Sequence, residues 1–207
     1  MLIAIIVGLL LVALFFSKNI SEKKPSSASR SYPLVYVGNF SNPQLPEEAK
    51  NENKGKSEAY FQKYLQKYFP KQIYTDVALR IGENFYFPDF ALINRKHNLF
   101  VDIEIDEPYG FRGKSIHTIG SDEPRNAFFV EKGWIVIRFA EEQVIREPLQ
   151  CCGFIAQTLA KLVKDENLNE IAKNLPHLTL FPKMWNSREA QKMFENRYRD
   201  TYLNELN

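Results

Sequence analysis
Three hydropathy patterns divide the chain. Residues 2–16 (LIAIIVGLLLVALFF) carry no charged or strongly polar side chain, a run that reads as a short membrane span or a signal sequence. No basic residue precedes it, and Phe15-Phe16-Ser17 is a poor cleavage site, which favours an uncleaved anchor. Lys18, Lys23, Lys24 and Arg30 follow it, so the positive-inside rule predicts a single-pass protein whose carboxyl-terminal domain is cytoplasmic. From 18 to 54 Ser, Lys, Asn, Pro and Glu dominate and predict a flexible tether, although Tyr32 to Phe40 (YPLVYVGNF) is apolar enough to dock.

From residue 55 the periodicity becomes regular. Ser57 can cap a helix whose apolar stripe is Phe61, Tyr64, Leu65 and Tyr68, closed by Pro70. Strands from Asp76 to Ile81, Phe85 to Ile93 and Leu99 to Asp106, joined by turns at Gly82–Asn84 and Asn94–Asn98, predict a three-strand meander. Pro124 opens a helix that runs through Phe128 and Phe129 to a cap at Gly133. Trp134 to Phe139 (WIVIRF) reads as a strand covered on both faces, and Phe154, Ile155, Leu159, Leu162 and Val163 as the inner stripe of a core helix. A tail helix from Ser187 would align Ala190, Phe194, Tyr198 and Tyr202 against the core. The predicted order is an anchor at 1–17, a tether at 18–54, an α/β core at 55–165 and a helical extension at 166–207.

Charge changes this picture only locally. With 27 Lys+Arg against 25 Asp+Glu, nucleic-acid contact would need a local basic face. Cys151 and Cys152 are adjacent and read as small core residues of a reduced compartment, and no Cys/His zinc spacing occurs.

The acidic strand carries the candidate chemistry. In extended chain Asp102, Glu104 and Asp106 share one face and Val101, Ile103 and Ile105 the other. Carboxylates roughly 7 Å apart at an effective dielectric near 20 repel by about 2 kcal/mol per pair, so a cation is expected among them. The plainer alternative is a solvent-facing edge strand.

The order helix, three-strand meander, helix, strand, helix, with Glu58 in the first helix, Pro88-Asp89 on the second strand and Glu104 on the third, resembles the core of the PD-(D/E)xK nuclease superfamily. Asp122-x-x-Arg125, then Gly133 to Phe139 (GWIVIRF) and Glu142-x-Val144, is similar to bacterial proteins akin to very-short-patch-repair endonucleases. The likeness covers roughly Lys56 to Leu162. It implies a restriction-endonuclease-like α/β core, phosphodiester hydrolysis with Mg²⁺ (or Mn²⁺), and DNA as substrate, with RNA left open. It further implies Asp89 and Glu104 as metal ligands, the Ile105 carbonyl as an added ligand, and Glu58 holding a metal-bound water, unless Glu58 is only a first-turn acid favoured by the helix dipole.

The chain departs from that pattern at Asp106, which stands where the superfamily has its lysine, two residues after the acidic ligand. An alternative register takes Asp102-x-Glu104 as the motif. Substitutes for the missing cation are His117 as general acid or base with Asp122 as its partner, Arg125 on phosphate, and Arg112 and Lys114 in the loop Tyr109 to Ser121, a stretch suited to closing over nucleic acid. A solvated loop histidine and a capping aspartate are the plainer readings of His117 and Asp122. The repair endonucleases carry an acid directly after this arginine, and here Asn126 follows Arg125. Two functions are therefore expected to compete: a membrane-tethered, metal-dependent nuclease, and a non-catalytic module of the same fold that binds nucleic acid or protein.

Overall fold
The computed structural model describes residues 30–50 and 55–206. The expected anchor lies outside the described residues, and among the described residues no helix is long and apolar enough to cross a membrane. The architecture is α/β with a mixed main sheet. Its strand order is β1 (Leu34–Tyr36), β8 (Ile135–Ala140), β7 (Leu99–Asp106), β6 (Phe90–Asn94) and β3 (Ile73–Tyr74). β7 runs antiparallel to β6 and parallel to β8. A small sheet holds β2 (Glu47–Glu48), β4 (Val77–Ile81) and β5 (Asn84–Tyr86). The helices are α1 (Lys56–Tyr68), α2 (Glu123–Glu131), α3 (Glu141–Arg146), α4 (Pro148–Ala160), α5 (Glu166–Asn174), α6 (Ser187–Glu195) and α7 (Asp200–Leu203).

β7 lies at the centre of the main sheet with all eight residues buried, so it is not a solvent-facing edge. Its odd residues Val101, Ile103 and Ile105 join Ile135, Ile137 and Phe139 of β8 in the larger core, beneath Phe61 and Leu65 of α1 and Ile155 and Leu159 of α4. Each such side chain contributes about 1.5–3 kcal/mol when fully buried. The opposite face begins apolar, where Phe100, Val136, Ala91 and Ile93 pack under Phe129 of α2 with Trp134. Further along β7 that face turns charged, at Asp102, Glu104 and Asp106.

Several expectations are corrected. The second strand of the meander is two strands: the chain leaves extended pairing around Pro88, which has no N–H to give, and β5 pairs with β4 while β6 pairs with β7. β4 therefore lies outside the main sheet, whose outer position is taken by β3. The 18–54 tether is partly structural. Leu34–Tyr36 pairs antiparallel with β8, and Glu47–Glu48 with β4. The apolar run covers an edge of β8 that would otherwise present unpaired backbone groups. Gly55, not Ser57, is the N-cap of α1, and Glu58 closes that end by accepting from the Gly55 N–H at 2.8 Å. The tail helix is broken between α6 and α7, where Arg197 adopts φ 53°. Of its stripe, Ala190 and Tyr202 are buried and Phe194 is exposed. In the turn between β6 and β7, His97 places its Nε2 2.5 Å from Oδ2 of Asp165, the cap of α5.

Candidate functional site
The charged half of the β7 face meets residues from three other elements. Asp89 sits just ahead of β6, on the parity of Ala91 and Ile93, and reaches the same surface. Asp89 and Glu104 are tied reciprocally through backbone: the Ile105 N–H donates to Asp89 Oδ2 at 2.7 Å, and the Asp89 N–H to Glu104 Oε1 at 3.2 Å. Arg125, in the first turns of α2, donates Nη2 to the same Glu104 oxygen at 2.5 Å and to the Phe87 carbonyl at 2.7 Å. Its guanidinium lies 5.3 Å from the Tyr86 ring and 5.0 Å from the Phe129 ring. Asp102 is fully buried, neither of its oxygens has a hydrogen-bond partner, and its nearest cation is Arg125 Nη2 at 3.7 Å.

These surroundings sort the acids. Burial, with the charges of Glu104 and Glu58 added, pushes the Asp89 carboxyl well above its usual range. Burial and the Glu104 charge do the same to Asp102. For Glu104 burial works in that direction too, but Arg125 and Arg138 outweigh it and leave Glu104 the ionised member.

The second half of the cluster is built on Arg138, whose side chain is 1% exposed. Parallel pairing puts Arg138 beside Glu104, and its fork grips Asp106 through Nε at 2.9 Å and Nη2 at 2.6 Å. Tyr32, from the expected tether, donates its hydroxyl to Asp106 Oδ2 at 2.9 Å. Asn126 accepts from Arg138 Nη1 at 3.0 Å. A neutral amide at that position satisfies a third guanidinium donor without adding another buried charge. His117, in a left-handed backbone conformation, places Nδ1 3.2 Å from Asp122 Oδ2 and 3.4 Å from Asp106 Oδ1. Arg138 Nη2 also lies 3.2 Å from that nitrogen, but it carries only donors and is engaged with Asp106, so the His117 Nδ1–H donates to Asp122.

Burial alone would lower the His117 pKa, yet the Asp122 hydrogen bond and the Asp106 charge raise it to about 9. Burial would raise Asp122, and His117 and Arg138 instead hold it at about 2. The His117 contribution to stability is thus complete below its ordinary 6.5 and lost as pH rises through about 9. The Asp122 contribution is complete above its ordinary 3.8 and lost as pH falls through about 2. The stability difference between the wild type and His117→Ala is expected to be largest between those ordinary values and to shrink through the alkaline range. Denaturant titrations across pH check this, and a difference flat from neutrality upward would contradict the charged pair.

The candidates from the sequence are unequally placed. Asp89, Glu104, Asp106, His117 and Arg125, with the backbone of Ile105, fall in one cluster. Arg125 is turned inward onto Glu104 and is not presented to an external phosphate. Glu58 caps α1, and its charge acts on Asp89. Arg112 and Lys114 are exposed, Arg112 lying over the Phe111 ring at 5.2 Å in a loop that Gly113 seats against Phe194. Arg138 and Tyr32 were not singled out as site residues. A single charge inside the doubly covered WIVIRF strand was the available signal for Arg138, because a buried guanidinium must find an anion.

Among the described residues no group of three or more His, Cys, Asp or Glu side chains is arranged as a metal site. A hard divalent ion is nonetheless commonly held by one or two carboxylates completed by water, which Asp89 and Glu104 fit in chemistry. No family model, no curated protein and no solved structure matches the chain.

Proposed function
We propose that this chain is a divalent-metal-dependent nuclease with a restriction-endonuclease-like core, hydrolysing phosphodiester bonds in DNA and held at a membrane by residues 2–16. The observation that carries the reading is the meeting of Asp89 and Glu104 across the start of β6 and the end of β7, the Glu104 carboxylate held by the Asp89 N–H and the Asp89 carboxylate by the N–H of Ile105, the residue after Glu104. Bound there, Mg²⁺ or Mn²⁺ would polarise the phosphate and support attack by water. Glu104, kept ionised, and Asp89, which must release its proton, would hold the ion. Arg125 fixes the Glu104 rotamer, and Arg138 neutralises Asp106 where the lysine of the resembled family would stand. His117 is charged at neutral pH, which suits it to give a proton to the departing oxygen as the phosphorus–oxygen bond breaks, and not to take one from water.

One observation favours the non-catalytic module instead: Arg125 on Glu104 and Arg138 on Asp106 already neutralise two of the acids from within. Metal-dependent melting of the full-length chain separates the two. A ligand that binds only the folded state at ten times its Kd stabilises it by roughly 1.4 kcal/mol. Wild type is expected to gain stability with Mg²⁺ or Mn²⁺ and Asp89→Asn to gain less. No response from either protein, or the same response from both, removes the metal site and moves the assignment to the binding module.

A further inference from the structure
Two arginines reach the carboxylate cluster, and they are held differently. Arg138 engages all three of its nitrogens, Nε and Nη2 on Asp106 and Nη1 on Asn126. Arg125 gives its hydrogen bonds through Nη2, divided between the Phe87 carbonyl and Glu104 Oε1, while its Nε is buried without an acceptor. Beside it, both oxygens of fully buried Asp102 lack a hydrogen-bond partner. Arg125 Nη2 stands 3.7 Å from Asp102 Oδ1, about 0.8 Å beyond an ordinary N–H to oxygen hydrogen bond. Buried polar groups left without partners are uncommon and costly, and here a donor group and an acceptor group are left so side by side. The Arg125 side chain is 16% exposed against 1% for Arg138, and the Tyr86 and Phe129 rings against its guanidinium fix no donor direction.

The oxygen that Arg125 holds is the one a shared ion needs. Glu104 Oε1 is turned toward Asp89, whose N–H it accepts at 3.2 Å, while Oε2 faces Arg138 Nη1 at 3.7 Å. An ion at the usual distance from Oε1 would lie within about 4.6 Å of Arg125 Nη2, which is itself 2.5 Å from that oxygen. At such a range two cations repel strongly in surroundings less screened than water. We infer that Arg125 and the divalent ion compete for Glu104, and that the ion binds as the guanidinium turns from Glu104 onto Asp102. The inference rests on the metal site of the nuclease reading. Arg125 is in these terms a positioning residue: it sets the Glu104 carboxylate in place and then yields it. The turn is short, it gives the Asp102 oxygens a donor, and it keeps the guanidinium against the same two rings. Arg138, complete on Asp106 and Asn126, has no such second seat and stays where it is.

A site that is competent only while a competitor is turned away binds its ligand more weakly by the fraction of time it is free. Mn²⁺ affinity of the full-length chain, without DNA, is therefore measured by calorimetry for wild type, R125Q, D102L and the double variant R125Q/D102L. R95Q, which removes an exposed charge beyond the far end of β6, is the control. R125Q is expected to bind at least about tenfold more tightly than wild type, a gain that a merely structural arginine would not give. D102L, which removes the second seat, should bind about tenfold more weakly, and the double variant should match R125Q because the seat matters only while Arg125 is present. R95Q should match wild type. Equal affinity in wild type and R125Q overturns the inference and leaves the nuclease reading standing, and so does a D102L loss that persists in the double variant, since Asp102 would then serve the ion directly. No Mn²⁺ binding by any of these proteins removes the inference and the metal site together. Tighter binding by R125Q, with no cleavage of DNA by wild type in Mg²⁺, sinks the nuclease and leaves the competition standing. Should R125Q fail to fold, the arginine Nε–H signals of wild type in solution decide: Mg²⁺ is expected to move that of Arg125 and not that of Arg138, and an Arg125 signal unmoved at saturating Mg²⁺ overturns the inference.

Discussion

Glu104→Gln is expected to abolish metal-dependent cleavage of DNA by the full-length chain while leaving it folded. Glu104 is the one acid of the Asp89, Asp102 and Glu104 group held ionised, by Arg125 and Arg138, and an amide there removes the charge the ion requires. Loss of one group that stabilises developing charge typically lowers the rate about a hundred- to a thousandfold, and loss of a ligand should do at least as much. The substitution also leaves Arg125 facing an amide, so its melting temperature must be recorded beside its rate. Cleavage that survives in a folded Glu104→Gln protein would place the chemistry elsewhere or in a contaminant. A panel of supercoiled, linear and single-stranded substrates with Mg²⁺ and Mn²⁺ is the appropriate assay, and wild type inert throughout would favour the binding module.

Arg138→Met is expected to cost about 3–5 kcal/mol of stability, the usual consequence of leaving one partner of a buried ion pair uncompensated. Asp106 is 1% exposed and would retain only the Tyr32 hydroxyl and a more distant His117. Because a buried pair exchanged for apolar residues is often neutral, the double variant Arg138→Met, Asp106→Leu should recover much of the loss. Urea midpoints for wild type, single and double variants measure it. A single variant within about 1 kcal/mol of wild type would show that the cluster tolerates an unpaired carboxylate.

Legibility in the sequence followed the range of the forces involved. The stripe on α1 and the buried runs of β7 and β8 were readable because burial on a periodic element leaves a periodic trace. That Glu104 and Asp106 would share a face was readable from alternation, and that Asp89 would join them was implied by the resemblance. Which cation meets which acid was not. Arg138 is drawn to Asp106, 32 positions earlier in the chain, by the parallel register of β7 and β8, and nothing local encodes it. Arg125 looked free for phosphate because its helix position fixes only its direction, and the aromatic wall of Tyr86 and Phe129 that holds it inward is assembled by the fold. The break in the second strand was not legible because residues 85–93 are apolar apart from Asp89, and hydropathy does not register a change of pairing partner.

The placement of β1 alters where this molecule can be divided. A fragment starting at residue 55, where composition alone would set the boundary, would lack the strand that pairs with β8 and the phenol that meets Asp106. It would carry a bare, apolar strand edge of the kind that recruits a second chain, and it would aggregate for a reason unrelated to its own core. A fragment that keeps these contacts must begin no later than about Arg30.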